Sequence, residues 1–138
     1  MPVTISTDDY QSGYLKVHLV GDATVAGLLG QIANPENALL QIVEGWLYVV
    51  TGATAAATQN IGIGATGVDS NDLLSAFAMN AAAGTVWTVV TRAAAEAAAT
   101  GAQGGGLWPA TSFLTVTNAA QASTGLEADL FLKYIRLD

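Results

Sequence analysis

The chain has 138 residues, a length that suits one domain and is too short for two. The formal net charge is −7, which argues against binding to nucleic acid. Only 11% of the residues are charged and 51% are hydrophobic, which predicts apolar surface that partner molecules cover. The sequence contains no cysteine, which excludes disulfides, thiolate zinc sites and a thiol nucleophile.

The N-terminal part of the chain predicts an arm followed by two strands. Residues 1–13 are polar and are interpreted either as an extended arm that reaches a neighbouring subunit or as a frayed terminus, with the domain proper at residues 14–138. Residues 14–20 alternate, with Leu15, Val17 and Leu19 on one face, and predict a half-buried strand. Within residues 24–33, Gly27 and Gly30 indicate a strand with a bulge or a close backbone approach.

A turn and a long apolar run form the centre of the sequence. Pro35 fixes φ inside the predicted turn from Asn34 to Asn37. The following run, residues 39–51, is rich in β-branched and aromatic side chains and predicts a long strand. Alternation places two apolar sets on opposite faces, Leu40, Ile42, Trp46, Tyr48 and Val50 on one and Leu39, Val43, Leu47 and Val49 on the other. Because both faces are apolar, we expect both to be covered, by a second sheet, a helix layer or another subunit.

The second half of the chain predicts further short strands within residues 60–65, 85–91, 112–118 and 126–137. In the last of these, alternation separates Leu126, Ala128, Leu130, Leu132 and Tyr134 on one face from Glu127, Asp129, Phe131, Lys133 and Ile135 on the other. Asp69, Ser70 or Asn71 is a suitable N-cap for one helical turn that contains Leu73, Leu74 and Phe77. The Ala-rich residues 92–106 fit either a loop or one loose helical turn. In total, seven or eight short strands without βαβ alternation predict an all-β, single-domain, two-sheet sandwich of jelly-roll type with one short helical turn.

Two motifs resemble ligand sites but lack the context that such sites need. Residues 62–67, GIGATG, match a dinucleotide-binding fingerprint, yet no long helix opens after them and no acid follows at the ribose-binding distance. A Gly-rich strand and turn is therefore the better interpretation. Asp69, Asn71 and Asp72 resemble the start of a calcium loop but lack its glycine and its distal glutamate, which favours a turn with a cap.

The titratable side chains do not form a catalytic set. His18 is the only histidine, it falls on the polar face of its strand, and the sequence has no G-x-S-x-G elbow. Glu127 and Asp129 lie two residues apart and are interpreted as a solvated polar face. We therefore predict that the protein is not an enzyme and has no catalytic residues, no metal site and no cofactor.

The uncharged stretch and the aromatic residues favour burial or protein contacts. Residues 73–91 are long enough to span a bilayer but are weakly hydropathic and almost lack flanking basic anchors, so we predict no membrane segment. Most aromatic residues lie in apolar runs, which favours core or subunit-interface positions over a carbohydrate groove. The interface candidates are Tyr10, Tyr14, Trp46, Tyr48 and Trp108.

The order of these elements resembles a known family. It comprises the Gly-interrupted strand, Asn34-Pro35-Glu36-Asn37, the long apolar strand, Ile61-Gly62-Ile63-Gly64, Trp108-Pro109-Ala110 and the final Leu132-Lys133-Tyr134-Ile135. This order is similar to that of small all-β head decoration proteins of tailed bacteriophages, over about residues 24–137.

The resemblance implies a cement protein on the outer surface of a phage capsid. Such a protein would bind the major capsid protein, form a homotrimer and clamp neighbouring capsid subunits, without binding nucleic acid or membrane. The alternative from another class is a carbohydrate-binding jelly-roll module of a phage fibre or surface adhesin, which would use exposed tryptophans.

Overall fold

The structure of the chain is a computed structural model that describes residues 12–67, 69–89 and 106–138. Within these ranges the backbone forms nine β-strands, and none of the described residues is helical. The strands are β1 (Ser12–Val20), β2 (Gly27–Ala33), β3 (Leu40–Thr51), β4 (Thr58–Gly64), β5 (Leu74–Ala78), β6 (Val86–Thr88), β7 (Leu107–Trp108), β8 (Phe113–Asn118) and β9 (Glu127–Arg136).

The strands form two antiparallel sheets. The larger sheet has the order β1-β9-β3-β6, with β7 also paired to β3, and the smaller sheet has the order β2-β8-β4-β5. With the two-residue β7 set aside, the first, eighth, third and sixth strands in chain order share one sheet, and the second, seventh, fourth and fifth share the other. This is the strand order of a jelly roll, so the predicted all-β two-sheet sandwich is confirmed.

Alternating apolar residues fill one core between the sheets. In β9 the inward positions are Ala128, Leu130, Leu132 and Tyr134, as the alternation predicts. The core also takes residues from both sheets, including Val17, Leu19, Leu40, Ile42, Leu47, Ile61, Phe77, Trp108, Leu114 and Val116.

At the end of β9 the buried Tyr134 hydroxyl donates a hydrogen bond to Glu36 Oε1 (2.7 Å). Burial, together with the Glu36 carboxylate, raises the pKa of Tyr134 to about 12.

The predicted turn before β3 is confirmed, and Asn34 holds it in place. Its side-chain Oδ1 accepts a hydrogen bond from the Glu36 backbone N–H (3.0 Å), which is the local geometry that makes asparagine favourable in turns. Its Nδ2 donates to the carbonyls of Ala38 and Trp108. Asn37 adopts a positive φ of 51°, which asparagine tolerates better than most residues.

A bulge in β3 corrects the predicted division of its two faces. The pairing of β3 with β9 shifts register between Ile42 and Glu44, so the alternation changes phase there. Leu40 and Ile42 are buried before the bulge, whereas Leu47 and Val49 are buried after it. Trp46, Tyr48 and Val50 therefore do not share a face with Leu40. They point outward and are 37–45% exposed in the single chain, so for this face cover by another subunit stays a prediction.

The predicted helical turn through Leu73, Leu74 and Phe77 is also wrong, because these residues enter the smaller sheet. Leu73 donates its backbone N–H to the Ile61 carbonyl (3.1 Å), and β5 then pairs with β4. The pairing is irregular, and Ala76 has a positive φ of 52°. The Asn60 side chain compensates by accepting a hydrogen bond from the Ala76 N–H (2.8 Å).

The GIGATG motif forms the end of β4 and the loop after it, in agreement with the Gly-rich strand interpretation. A Cβ on Gly62 would collide with the Asp72 carboxylate and with Ser70, because the loop between β4 and β5 crosses closely at this point. Asp72 Oδ1 accepts hydrogen bonds from the Ile63 N–H (2.8 Å) and from Ser70 Oγ (3.2 Å). Burial raises the pKa of the Asp72 carboxyl above 3.8, although these hydrogen bonds act in the opposite direction.

Two further predictions concern the bulge in β2 and the start of β1. The bulge expected near Gly27 and Gly30 is confirmed by a register shift between Leu28 and Gly30 in the β2–β8 pair. Ser12 and Gly13, which we assigned to the arm, are the first residues of β1 and pair with β9. The rest of the arm, including Tyr10, and residues 92–105 of the Ala-rich segment lie outside the described residues.

Candidate interface on the outer face of the larger sheet

The outer face of the larger sheet carries a set of large apolar side chains. They occupy the positions that alternate with the core residues of β1, β3 and β6, and the side of the sheet that they cover faces away from the second sheet. The exposed members and their exposed fractions are Tyr14 (77%), Val20 (59%), Trp46 (45%), Tyr48 (41%), Val50 (37%) and Val86 (54%). Exposed apolar side chains gathered on one face are typical of contact sites between proteins.

The register across the sheet places an aromatic pair at the centre of this face. Phe131 of β9 lies between Lys16 of β1 and Trp46 of β3. The Phe131 and Trp46 rings are stacked, with centroids 5.7 Å apart and planes inclined by 29°. Lys16 Nζ lies 5.6 Å from the Phe131 ring centroid, which is within the range of a cation–π contact. The pair is therefore stacked, apolar and flanked by the Lys16 ammonium group.

A groove of about 270 Å³ adjoins this aromatic pair at the end of the sheet where β1 begins. A second cation–π contact borders it, because Lys133 Nζ lies 5.9 Å from the Tyr14 ring centroid. The groove is lined by Tyr14, Leu15, Lys16, Glu44, Trp46, Phe131, Leu132 and Lys133. Its lining is mainly apolar, with two ammonium groups and one carboxylate at its borders.

In the next row of the same face, polar side chains of β1 and β9 lie beside Tyr48 and Val86 of β3 and β6. His18 Nδ1 lies 2.7 Å from Asp129 Oδ1, and His18 Nε2 lies 3.7 Å from Glu127 Oε1. Lys16 Nζ also approaches Asp129 Oδ2, at 3.9 Å. His18 and Glu127 are about half exposed, in agreement with the prediction of a polar surface, whereas the Asp129 side chain is only 15% exposed and lies against His18.

The structure divides the predicted interface residues into three groups. Tyr14, Trp46 and Tyr48 lie together on the outer face. Trp108 does not, because its side chain is completely buried and its Nε1 donates to the Ser112 carbonyl (3.0 Å). It is a core residue, and it is not accessible to a capsid subunit or a glycan. Tyr10 lies outside the described residues.

The sequence-based candidates did not include Phe131, Lys16, Lys133 and Val86, which complete this face. The alternation of residues 126–137 already placed Phe131 and Lys133 on the side opposite the core. The missing information was that β9 lies between β1 and β3, which brings Lys16, Phe131 and Trp46 into one row.

A second, smaller groove lies where the free edges of the two sheets approach each other. It has a volume of about 200 Å³ and lies between β1 and β2. Its lining is largely apolar, with His18 and Gln31 among the contributing residues. Both strands are edge strands, whose unpaired backbone groups can accept a further strand.

Within residues 12–67, 69–89 and 106–138, no group of three or more His, Asp or Glu side chains is placed to hold a metal ion. The same ranges contain no helix of the length and hydropathy needed to cross a membrane.

Comparison with known proteins gives matches at the level of structure. No protein-family profile matches the sequence, and no curated protein does. The fold is similar to that of a chain in the capsid of Ralstonia phage GP4, with a TM-score of 0.56 and 21% identity, over 99% of this chain and 90% of that chain. It is also similar to a chain of the cyanophage Pam1 capsid asymmetric unit, with a TM-score of 0.55 and 14% identity, over 99% and 94% of the two chains. At these identities the similarity concerns the fold.

Proposed function

We propose that the chain is a non-enzymatic structural protein of a bacteriophage virion. The observation that carries this proposal is the fold, which is similar over 99% of the chain to chains from the capsid structures of two phages. A shared fold does not by itself imply a shared role. Only 11% of the residues are charged, and the outer face of the larger sheet exposes aromatic side chains. Both observations support a protein that acts by contact with its neighbours.

More specifically, we propose a decoration, or cement, protein that binds the major capsid protein on the outer surface of the shell as a homotrimer. The resemblance of the sequence to small phage head decoration proteins supports this role. The proposed contacts are the outer face of the larger sheet, the free edges of β1 and β2, and the N-terminal arm.

The proposed mechanism needs no catalysis. Each copy buries apolar surface against its neighbours, and a contact of modest size is sufficient because many copies act on one closed shell. Tyr48 and Val86 are suitable for such a contact, because they are exposed, paired in register and not part of the groove lining. Burying aromatic and branched side chains stabilises an interface without requiring charge complementarity.

The decisive experiment is reconstitution on particles of the phage that encodes the chain, after the native copies have been stripped off. We expect the wild-type protein to co-sediment with these particles and to raise the temperature at which they release DNA. The double variant Tyr48→Ser/Val86→Ser should bind about tenfold more weakly, because two exposed apolar contacts are lost.

The matched control is Val25→Ser, since Val25 is 60% exposed but lies in the loop between β1 and β2. Its occupancy should equal that of the wild type. Failure of the wild-type protein to bind particles contradicts the decoration role, whereas equal binding by Tyr48→Ser/Val86→Ser removes this part of the face from the contact.

A carbohydrate-binding module remains the alternative function, and the aromatic groove with Tyr14, Trp46 and Phe131 is the observation that favours it. A glycan array distinguishes the two roles. A cement protein should bind no glycan, whereas a carbohydrate-binding module should bind and should lose binding on Trp46→Ala. Trp108 is unsuitable for this test because it is completely buried.

A further inference from the structure

The groove beside Tyr14 is bordered by half of the basic side chains of an acidic chain. The whole sequence has four Lys and Arg residues against eleven Asp and Glu residues, and two of the four, Lys16 and Lys133, border this groove. Glu44 is the one carboxylate among the lining residues, and Asp129 lies beside Lys16 from the next row. Among the described residues, Lys133 makes no ion pair within 4.0 Å.

Residues 1–11 have the complementary chemistry. They contain Asp8 and Asp9 and no basic side chain, and they include the apolar or aromatic residues Val3, Ile5 and Tyr10. An acidic, partly apolar segment matches a groove that has apolar walls and two ammonium groups at its borders. An extended segment of eleven residues spans up to about 38 Å, which is enough to reach a neighbouring copy.

The point at which this segment joins the domain favours a neighbour's groove over its own. Ser12 is already paired with Ile135, so a return to the same copy needs a reversal within Tyr10 and Gln11. A hairpin of that length would lie beside the free edge of β1, in the plane of the sheet, and would not cover the outer face.

From these observations we propose that residues 1–11 of one copy occupy the groove of a second copy, where Asp8 and Asp9 lie against Lys16 and Lys133. The contact joins different surfaces of the two copies, so repetition around an axis closes a ring such as a trimer. It concerns the isolated protein in solution and does not depend on attachment to a capsid.

Charge reversal tests this exchange with full-length protein. The arm variant is Asp8→Lys/Asp9→Lys, and the groove variant is Lys16→Glu/Lys133→Glu. Each variant places like charges in the contact, so in sedimentation each alone should show an apparent dissociation constant about tenfold or more above that of the wild type. Mixed together, the two variants should associate again, because the arm of each then faces a groove of opposite charge on the other variant. A ring of three regains two of its three contacts in this way.

The matched control is Arg136→Glu, which reverses an exposed basic residue of β9 that does not line the groove and should leave assembly unchanged. Circular dichroism verifies folding. If the groove variant does not fold, the neutral Lys16→Gln/Lys133→Gln replaces it, with weaker assembly of this variant alone as the result tested and without the mixing step. The proposal is overturned if the wild type is monomeric, if either reversal leaves its assembly intact, or if mixing fails to restore association. The last result would indicate an arm bound within its own copy.

Discussion

The two tryptophans Trp46 and Trp108 have similar chemistry but opposite environments, so replacing each by alanine tests the assignment of the core and the outer face. Trp108 is fully buried and its indole N–H donates to the Ser112 carbonyl, whereas Trp46 is 45% exposed and stacks on Phe131. We expect Trp108→Ala to destabilise the fold strongly and Trp46→Ala to destabilise it much less.

The expected magnitudes follow from burial. Truncation of a buried Trp to Ala costs about 3–5 kcal/mol, because apolar contact is lost and a cavity remains, and in this case a hydrogen-bond donor also disappears. Trp46 already exposes almost half of its surface and leaves no closed cavity, so about 2 kcal/mol is expected. For 138 residues the unfolding entropy is about 0.29 kcal/mol/K, which converts these costs into Tm decreases of about 14 °C for Trp108→Ala and about 7 °C for Trp46→Ala.

The assay is thermal unfolding followed by circular dichroism at 218 nm, a wavelength at which β-sheet absorbs, with all proteins at one low concentration. A low concentration matters because assembly raises Tm by mass action and would add to the effect of Trp46→Ala. If Trp46→Ala lowers Tm as much as Trp108→Ala, then Trp46 is not a surface residue and the assigned interface is wrong.

Three further predictions concern single contacts. Gly62→Ala should lower the free energy of unfolding in urea by about 1–3 kcal/mol, because the new Cβ meets Asp72. Gly30→Ala should not lower it, because no heavy atom lies within 4 Å of a Cβ at that position. Equal effects of the two substitutions would contradict the close approach at Gly62. Burial raises the pKa of Asp72 in the folded protein, so ionisation of this carboxyl opposes folding as the pH rises from about 3.8 through the folded pKa. The stability of Asp72→Asn relative to wild type should therefore increase across this pH range. A stability difference that does not change with pH would exclude the effect. The pKa of Tyr134, raised to about 12, predicts that wild type loses stability between about pH 10 and pH 12 and that Tyr134→Phe lacks this loss; parallel curves would refute it.

The regular strands were predictable from alternation, and the long central strand shows where alternation fails. In β1 and β9 the inward positions follow period two without interruption, so their faces were predicted correctly. In β3 the bulge near Glu44 shifts the phase. Gly45 carried a signal for it, since its Cβ would press on Leu132 and on the Phe131 carbonyl. The same rule, applied at Gly27 and Gly30, did locate the bulge in β2.

The error at residues 69–77 has a different cause. Asp, Ser and Asn side chains bind free backbone groups, and at a helix start those groups are the first N–H donors. In this chain Ser70 Oγ donates to the Ile63 carbonyl and Asp72 accepts from the Ile63 N–H, so the same side chains satisfy the end of strand β4. The prediction of a helix N-cap is therefore wrong, although these side chains do bind free backbone groups. Which backbone they cap depends on contacts across the fold that local sequence does not contain.

The candidate interface was the hardest part to predict, for a reason that also explains the low identity with proteins of similar fold. Inward positions of the strands need only apolar side chains of suitable volume, and many sequences satisfy this requirement, which is compatible with similar folds at 14–21% identity. Outward positions are not constrained by the core, so residues such as Trp46, Phe131 and Lys133 can be selected for partners alone. Their arrangement in rows depends on the position of β9 between β1 and β3. The paired residues of β1 and β9 are more than a hundred residues apart in the sequence. It follows that the fold can be inferred from the alternation of apolar residues in the sequence. The partner has to be inferred from the side chains on the outer face, once the strand order is known.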